Sequence, residues 1–291
     1  MMLIAQAFAQ ILDRWENNEF GIDSIPEVLV RRHIPIVLLQ IFARTMESQQ
    51  PDGSWDSMHE VTAYAVLTLK AFLDLPWLES LKIEGIACME RGVAYLHRNR
   101  DQWTRGDYLW IEKVVYASGT LSQAYCLAAS KVNTPHLRLE TGANKTWHQS
   151  EGMVAKFNQF FNQIPLFTET PYWKLDLWLL QSLQFVPSLK EAGVSIFPPM
   201  KITDKEKYLN YIPFSWVGCN EKYGTNVPLE TIWEMMIISM LNFQVDAYME
   251  TLFETGHENF EALKSVVNKI FHENPEQCKS SAISWYLNEL C

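Results

Sequence analysis

Cysteine, clustered positive charge and long apolar runs are all scarce in this sequence, and each shortage removes a class of protein. The five cysteines (Cys88, Cys126, Cys219, Cys278, Cys291) are scattered and odd in number. No two are close enough for a metal knuckle, so reduced thiols of a cytoplasmic protein are expected rather than a disulfide or zinc scaffold. No segment reaches the roughly 18 uninterrupted apolar residues of a membrane span. The opening Met1-Met2-Leu3-Ile4-Ala5-Gln6 is apolar but lacks a basic stretch, and no secretory signal is expected. Net charge is −10 and the only basic run is Arg31-Arg32, which argues against nucleic acid as a partner. The seven histidines are dispersed, with no pair at metal-ligand spacing. There is no nucleophile elbow, phosphate loop or dinucleotide fingerprint.

What is present is apolar and aromatic. Apolar residues make up 48% of the 291 positions and aromatics 13%, with 11 tryptophans. That composition fits a large core or a pocket for greasy or cationic ligands. Helical periods dominate and strand alternation is nearly absent, so the expected fold class is all-α. Helices are expected over 1–17, 26–48, 58–75, 84–99, 109–130, 149–163, 172–190, 204–211, 229–254, 258–272 and 276–290. Ser57 followed by Glu60 predicts a capping box, and Pro171 and Pro275 sit where a first helical turn tolerates proline. The breaker-rich stretch from Asn133 to Lys145 predicts a junction between two helical units. Phe197-Pro198-Pro199-Met200 predicts a loop inside the second.

Two features call for more than packing. The first is Gln49-Gln50-Pro51-Asp52-Gly53-Ser54-Trp55. Pro, Asp and Gly are turn formers, but a large aromatic in a polar turn needs an apolar bed and an N–H partner. Arg91-Gly92-Val93-Ala94-Tyr95-Leu96 followed by Trp103 reads as a degraded copy of the same pattern. The second is the predicted helix 229–254. Between Ile232 and Val245 only Glu234 is charged, so the helix is apolar nearly all round and therefore buried. Its end places Asp246 and Glu250 one turn apart, with Asn242 a turn before and Ser239 near the same ridge. Two carboxylates on a buried helix must face water, a cation or each other. The pattern alone also allows a helix end that simply emerges into solvent.

Gln49, Gly53 and Trp55 fit Gln-x-x-x-Gly-x-Trp, the core of the QW motif of class II terpene cyclases. Arg91-Gly92-x-x-Tyr95-Leu96 resembles the front of that motif, with Arg100 in place of its Gln. The segments 60–70, 110–114, 122–127, 211–216 and 242–246 extend the resemblance to fungal bifunctional diterpene cyclases of the copalyl diphosphate/kaurene type. The resemblance implies part of an α–α barrel β-domain over 1–132, a linker over 133–148, and the N-terminal portion of a class I helical bundle over 149–291. It implies a structural role for Gln49, Gly53 and Trp55, tying neighbouring helices.

Asp246-Ala247-Tyr248-Met249-Glu250 stands where the family carries an aspartate-rich motif. The resemblance implies that Asp246 and Glu250 hold Mg²⁺, with Asn242 toward substrate, and that a C20 prenyl diphosphate such as copalyl or geranylgeranyl diphosphate is ionised and cyclised. Ala247 departs from the motif's second position. No Asp-x-Asp-Asp acid and no second metal motif, Asn-Asp-x-x-(Ser/Thr)-x-x-x-Glu, occur, so no general-acid residue is assigned. The sequence therefore reads as the middle of a longer enzyme, cut on both sides. The alternative is a catalytically inactive helical remnant or partner subunit of such a synthase. Lys205, Lys207 and Lys222 are weaker candidates for approaching a diphosphate.

Overall fold

The computed structural model describes residues 1–17, 19, 25–75, 79–111, 114–133, 151–193 and 208–254. Regular structure among them is almost wholly helical, and the chain is all-α. The helices are α1 (Met2–Glu16), α2 (Ile34–Glu47), α3 (His59–Leu73), α4 (Glu79–Arg98), α5 (Gly119–Ser130), α6 (Glu151–Asn162), α7 (Tyr172–Leu183), α8 (Val186–Gly193), α9 (Tyr208–Lys222) and α10 (Leu229–Glu254). A single π-helical turn, Leu29–His33, leads into α2, and a 3₁₀ turn, Arg100–Arg105, follows α4. Contacts divide the chain into Met1–Leu177 and Trp178–Cys291, a division that falls inside α7. The linker expected at 133–148 lies, apart from Asn133, outside the described residues. So do the helices expected at 258–272 and 276–290, Pro275 and the Phe197–Met200 loop.

In the first unit α3 is central, packed by α1, α2, α4 and α5. Its Ala63, Val66, Leu69 and Phe72 are buried, and Phe72 stacks on Phe42 of α2. A cavity of about 670 Å³ opens beside it, lined among others by Ile4, Trp55, Val61, Tyr64, Thr68 and Tyr125. Tyr64 donates its hydroxyl to the buried Glu60, and burial with that carboxylate raises its pKa. Farther along, Asp176 of α7 is buried and accepts from Asn158 Nδ2 of α6 at 2.6 Å and from the hydroxyl of Ser80 in α4. Such a carboxylate is tolerable because it is hydrogen-bonded on both oxygens. In the second unit α8, α9 and α10 pack together around Leu189, Phe214, Met236 and Met240. Phe185 stacks on Trp233 with ring centroids 6.3 Å apart.

Four expected elements are corrected. The span 109–130 is not one helix: Leu109–Ile111 (β1) and Val114–Tyr116 (β2) pair antiparallel, with Leu109 opposite Tyr116. These β-branched and aromatic residues suit a strand, and α5 starts only after Ser118, whose Oγ accepts the Leu121 N–H at 3.3 Å. The span 172–190 breaks at Gln184-Phe185, where Pro187 removes a helical donor and fits the first turn of α8. The span 204–211 stops too early, because α9, described from Tyr208, runs on through the interior Pro213 to Lys222, while 204–207 lie outside the described residues. Finally, Ser57 forms no capping box. Its φ is +56° and its hydroxyl is donated to Gln50 Oε1 at 2.8 Å. Asp107 accepts the Glu60 N–H at 2.9 Å instead, a cap supplied from 47 residues away.

Candidate functional site

The Gln49–Trp55 turn is tied to three helices. Pro51 and Asp52 turn the chain, Gly53 takes φ +92°, and Asp52 Oδ1 accepts the Ser54 N–H at 2.9 Å. Hydrogen bonds from Ser54 hold the Asp52 carboxyl below its ordinary pKa. Trp55 is 3% exposed, and its Nε1–H donates to the Thr45 carbonyl of α2 at 2.7 Å. Its backbone N–H donates to Thr62 Oγ1 of α3 at 3.0 Å. The indole thus satisfies a carbonyl at the C-terminus of α2, where helical partners run out.

Gln49 reaches the third helix. Its Nε2 donates to the Gly53 carbonyl at 3.1 Å and to the Cys88 carbonyl of α4 at 2.8 Å. Its Oε1 accepts from Arg91 Nε at 2.9 Å. Close backbone approach requires glycine on both sides. A Cβ at Gly53 would lie 2.5 Å from the Arg91 carbonyl oxygen, and one at Gly92 would lie 2.8 Å from Trp55 Cζ3. The two stretches read as copies of one pattern therefore pack against each other. Cys88, which donates to Gln49 Oε1 at 3.1 Å, is pushed up to about 11 by burial. Thr45, Thr62 and Cys88 carry no sequence signal for these roles.

Trp103 forms a second, simpler turn. It is 4% exposed and donates Nε1–H to the Leu96 carbonyl of α4 at 3.0 Å. Arg100, standing where a Gln was expected, lays its guanidinium 5.9 Å from the Trp103 ring centroid.

At the other candidate centre, α10 presents Asn242 and Asp246 as exposed residues one turn apart. Glu250 follows one turn later on the same helix, its side chain outside the described residues. Ser239, two turns before Asp246, accepts Trp216 Nε1–H of α9 at 2.9 Å and donates to the Met235 carbonyl at 2.9 Å. Among the described residues no three His, Cys, Asp or Glu side chains cluster to hold a metal ion. Lys222 is the last residue of α9, while Lys205 and Lys207 lie outside the described residues. No helix of the described residues is long and apolar enough to cross a membrane.

One Gln/Gly/Trp turn ties three helices of an all-α chain, an arrangement that fits a protein of terpene-cyclase type. Known proteins narrow the class. The chain is 32% identical to pimaradiene synthase of Emericella nidulans over 94% of its own length and 27% of the relative's. It is 34% identical to ent-kaur-16-ene synthase of Phaeosphaeria sp. over 86% of its length and 26% of the relative's. With bifunctional premutilin synthase of Clitopilus passeckerianus it shares 25% identity over 93% of its length and 28% of the relative's. No protein-family model and no solved structure matches the chain. The chain is fungal diterpene cyclase-like, and it spans about a quarter of the length of these relatives.

Proposed function

We propose that the chain carries part of a class I diterpene synthase site, in which Asp246 and Glu250 hold Mg²⁺ against the diphosphate of a C20 prenyl substrate and Asn242 contacts that substrate. In this reading residues 1–132 correspond to part of a barrel-type β-domain and residues 149–291 to the first part of a class I bundle. The observation that carries it is the exposure of Asn242 and Asp246 on one ridge of a helix whose preceding two turns are uncharged. Homology to pimaradiene and ent-kaurene synthases supports the substrate class.

The donor set fits the ion. Carboxylate and amide oxygens are hard ligands of the kind Mg²⁺ takes, and it bridges readily between carboxylates and phosphates. Bound there, Mg²⁺ would neutralise charge on the leaving diphosphate. The chain's own part is to keep the carboxylates on a rigid helix, at a boundary between an apolar interior and water.

Calorimetric titration of inorganic pyrophosphate into the chain, with and without Mg²⁺, tests the reading. Binding is expected only with Mg²⁺ and is expected to disappear in Asp246→Ala. Mg²⁺-independent binding, no binding, or binding unchanged in Asp246→Ala would overturn it and favour the inactive remnant or partner subunit.

A further inference from the structure

In the first unit the Glu60 carboxylate is buried with little to balance it. It is 4% exposed and accepts from the Tyr64 hydroxyl, a neutral donor. Asp176, also buried, is hydrogen-bonded on both oxygens. Among the described residues no Lys or Arg pairs with Glu60, and His59, next in sequence, faces Asp107 at 3.8 Å. A buried carboxylate so lightly paired favours a cation beside it. Glu60 also heads a stripe of α3: Val61, Tyr64, Ala65 and Thr68 follow at helical spacing, and all four line the cavity of about 670 Å³. Tyr64 links the carboxylate to that space, with its hydroxyl on Glu60 and its ring edge-on to Tyr125, centroids 4.7 Å apart. Trp55 adds a third aromatic residue to the lining, and Met2 and Ile4 of α1 add aliphatic wall. The Thr45 and Thr68 hydroxyls are already spent on the Ile41 and Tyr64 carbonyls. Among the described residues no Lys, Arg or His side chain lines the cavity, whereas Asp56 does. The volume suits a small molecule. Aromatic rings beside carboxylates attract a cation and repel an anion, and the aliphatic wall takes an apolar body.

We propose that this cavity binds an amphiphilic ammonium ion, its alkyl body against α1 and α3 and its head at Tyr64 and Tyr125, within the field of Glu60. The site lies wholly in the first unit and does not depend on the metal reading, so it is tested without Mg²⁺. Calorimetric titration of the full chain with decyltrimethylammonium, decanol and decanoate, each below its aggregation limit, varies only the head group. The ammonium is expected to bind about tenfold more tightly than decanol, and decanoate more weakly still. Tyr125→Leu is expected to weaken the ammonium about tenfold and to leave decanol within about twofold. Should Tyr125→Leu not fold, Glu60→Gln, which keeps an acceptor for Tyr64, is expected to weaken the ammonium about fivefold and to spare decanol. Ile4→Trp, at a half-exposed lining position, is expected to weaken ammonium and decanol alike, as filling the cavity should. Absence of ammonium binding would make the cavity a packing gap and overturn the proposal. Equal affinity for the three probes, or ammonium binding unchanged in these variants, would overturn it as well.

Discussion

Trp55 and Trp103 each donate an indole N–H to the third-from-last carbonyl of the preceding helix, Thr45 in α2 and Leu96 in α4. Beyond that shared bond the turns diverge. The Trp55 turn carries Gln49, whose amide reaches α4, and Gly53, which lets the turn touch the Arg91 carbonyl. It joins α2, α3 and α4 at one point. The Trp103 turn has Arg100 instead, and this exposed side chain lies over its own tryptophan. The indole bond back to the preceding helix is common to both turns, while the glutamine extends the first turn to a neighbouring helix.

Removing the shared indole breaks the comparison hardest. Trp55→Ala is expected to destabilise the chain by about 3–5 kcal/mol, the range for deleting a large buried aromatic. Urea unfolding followed by far-UV circular dichroism would show it, and a loss under about 1 kcal/mol would mean that α2, α3 and α4 are held elsewhere. Gly53→Ala removes no contact, yet it forces a side chain into φ +92° and against the Arg91 carbonyl. Strained backbone of this kind costs of order 1–3 kcal/mol. The same urea series checks it, and a neutral Gly53→Ala would show that α4 can yield at no cost.

Helix content was legible because helical periods are long and redundant, and α10 was expected over the span it occupies. What failed was the hairpin at 109–116, whose six strand residues are too few to outweigh the helical pattern after them. The Ser57 cap failed for a different reason: its true partner, Asp107, is remote in sequence, and remote pairing leaves no local trace. Asp246 and Asn242 could be picked out from an apolar helix ending in polar residues. The bond between Trp216 and Ser239 could not, because serine and tryptophan 23 residues apart have no periodic relation.

A further difference between the turns is the side chain at Arg100, and Arg100→Gln tests whether it matters. A glutamine there would match Gln49 in kind. At Gln49, however, the carbonyls of Cys88 and Gly53 lie within 2.8 and 3.1 Å of the amide. Beyond Arg100 the chain runs directly into Trp103, and Gly119 crowds the Thr104 carbonyl, where a Cβ would stand 2.2 Å from its oxygen. The substitution is expected to remove the guanidinium–indole contact without creating a second tie, a loss of about 0.5–1 kcal/mol at an exposed site. Urea midpoints of the wild type and Arg100→Gln measured side by side would resolve a shift of that size. A stabilised Arg100→Gln would show that carbonyls are within reach after all, and that glutamine alone converts a helix cap into an interhelical tie.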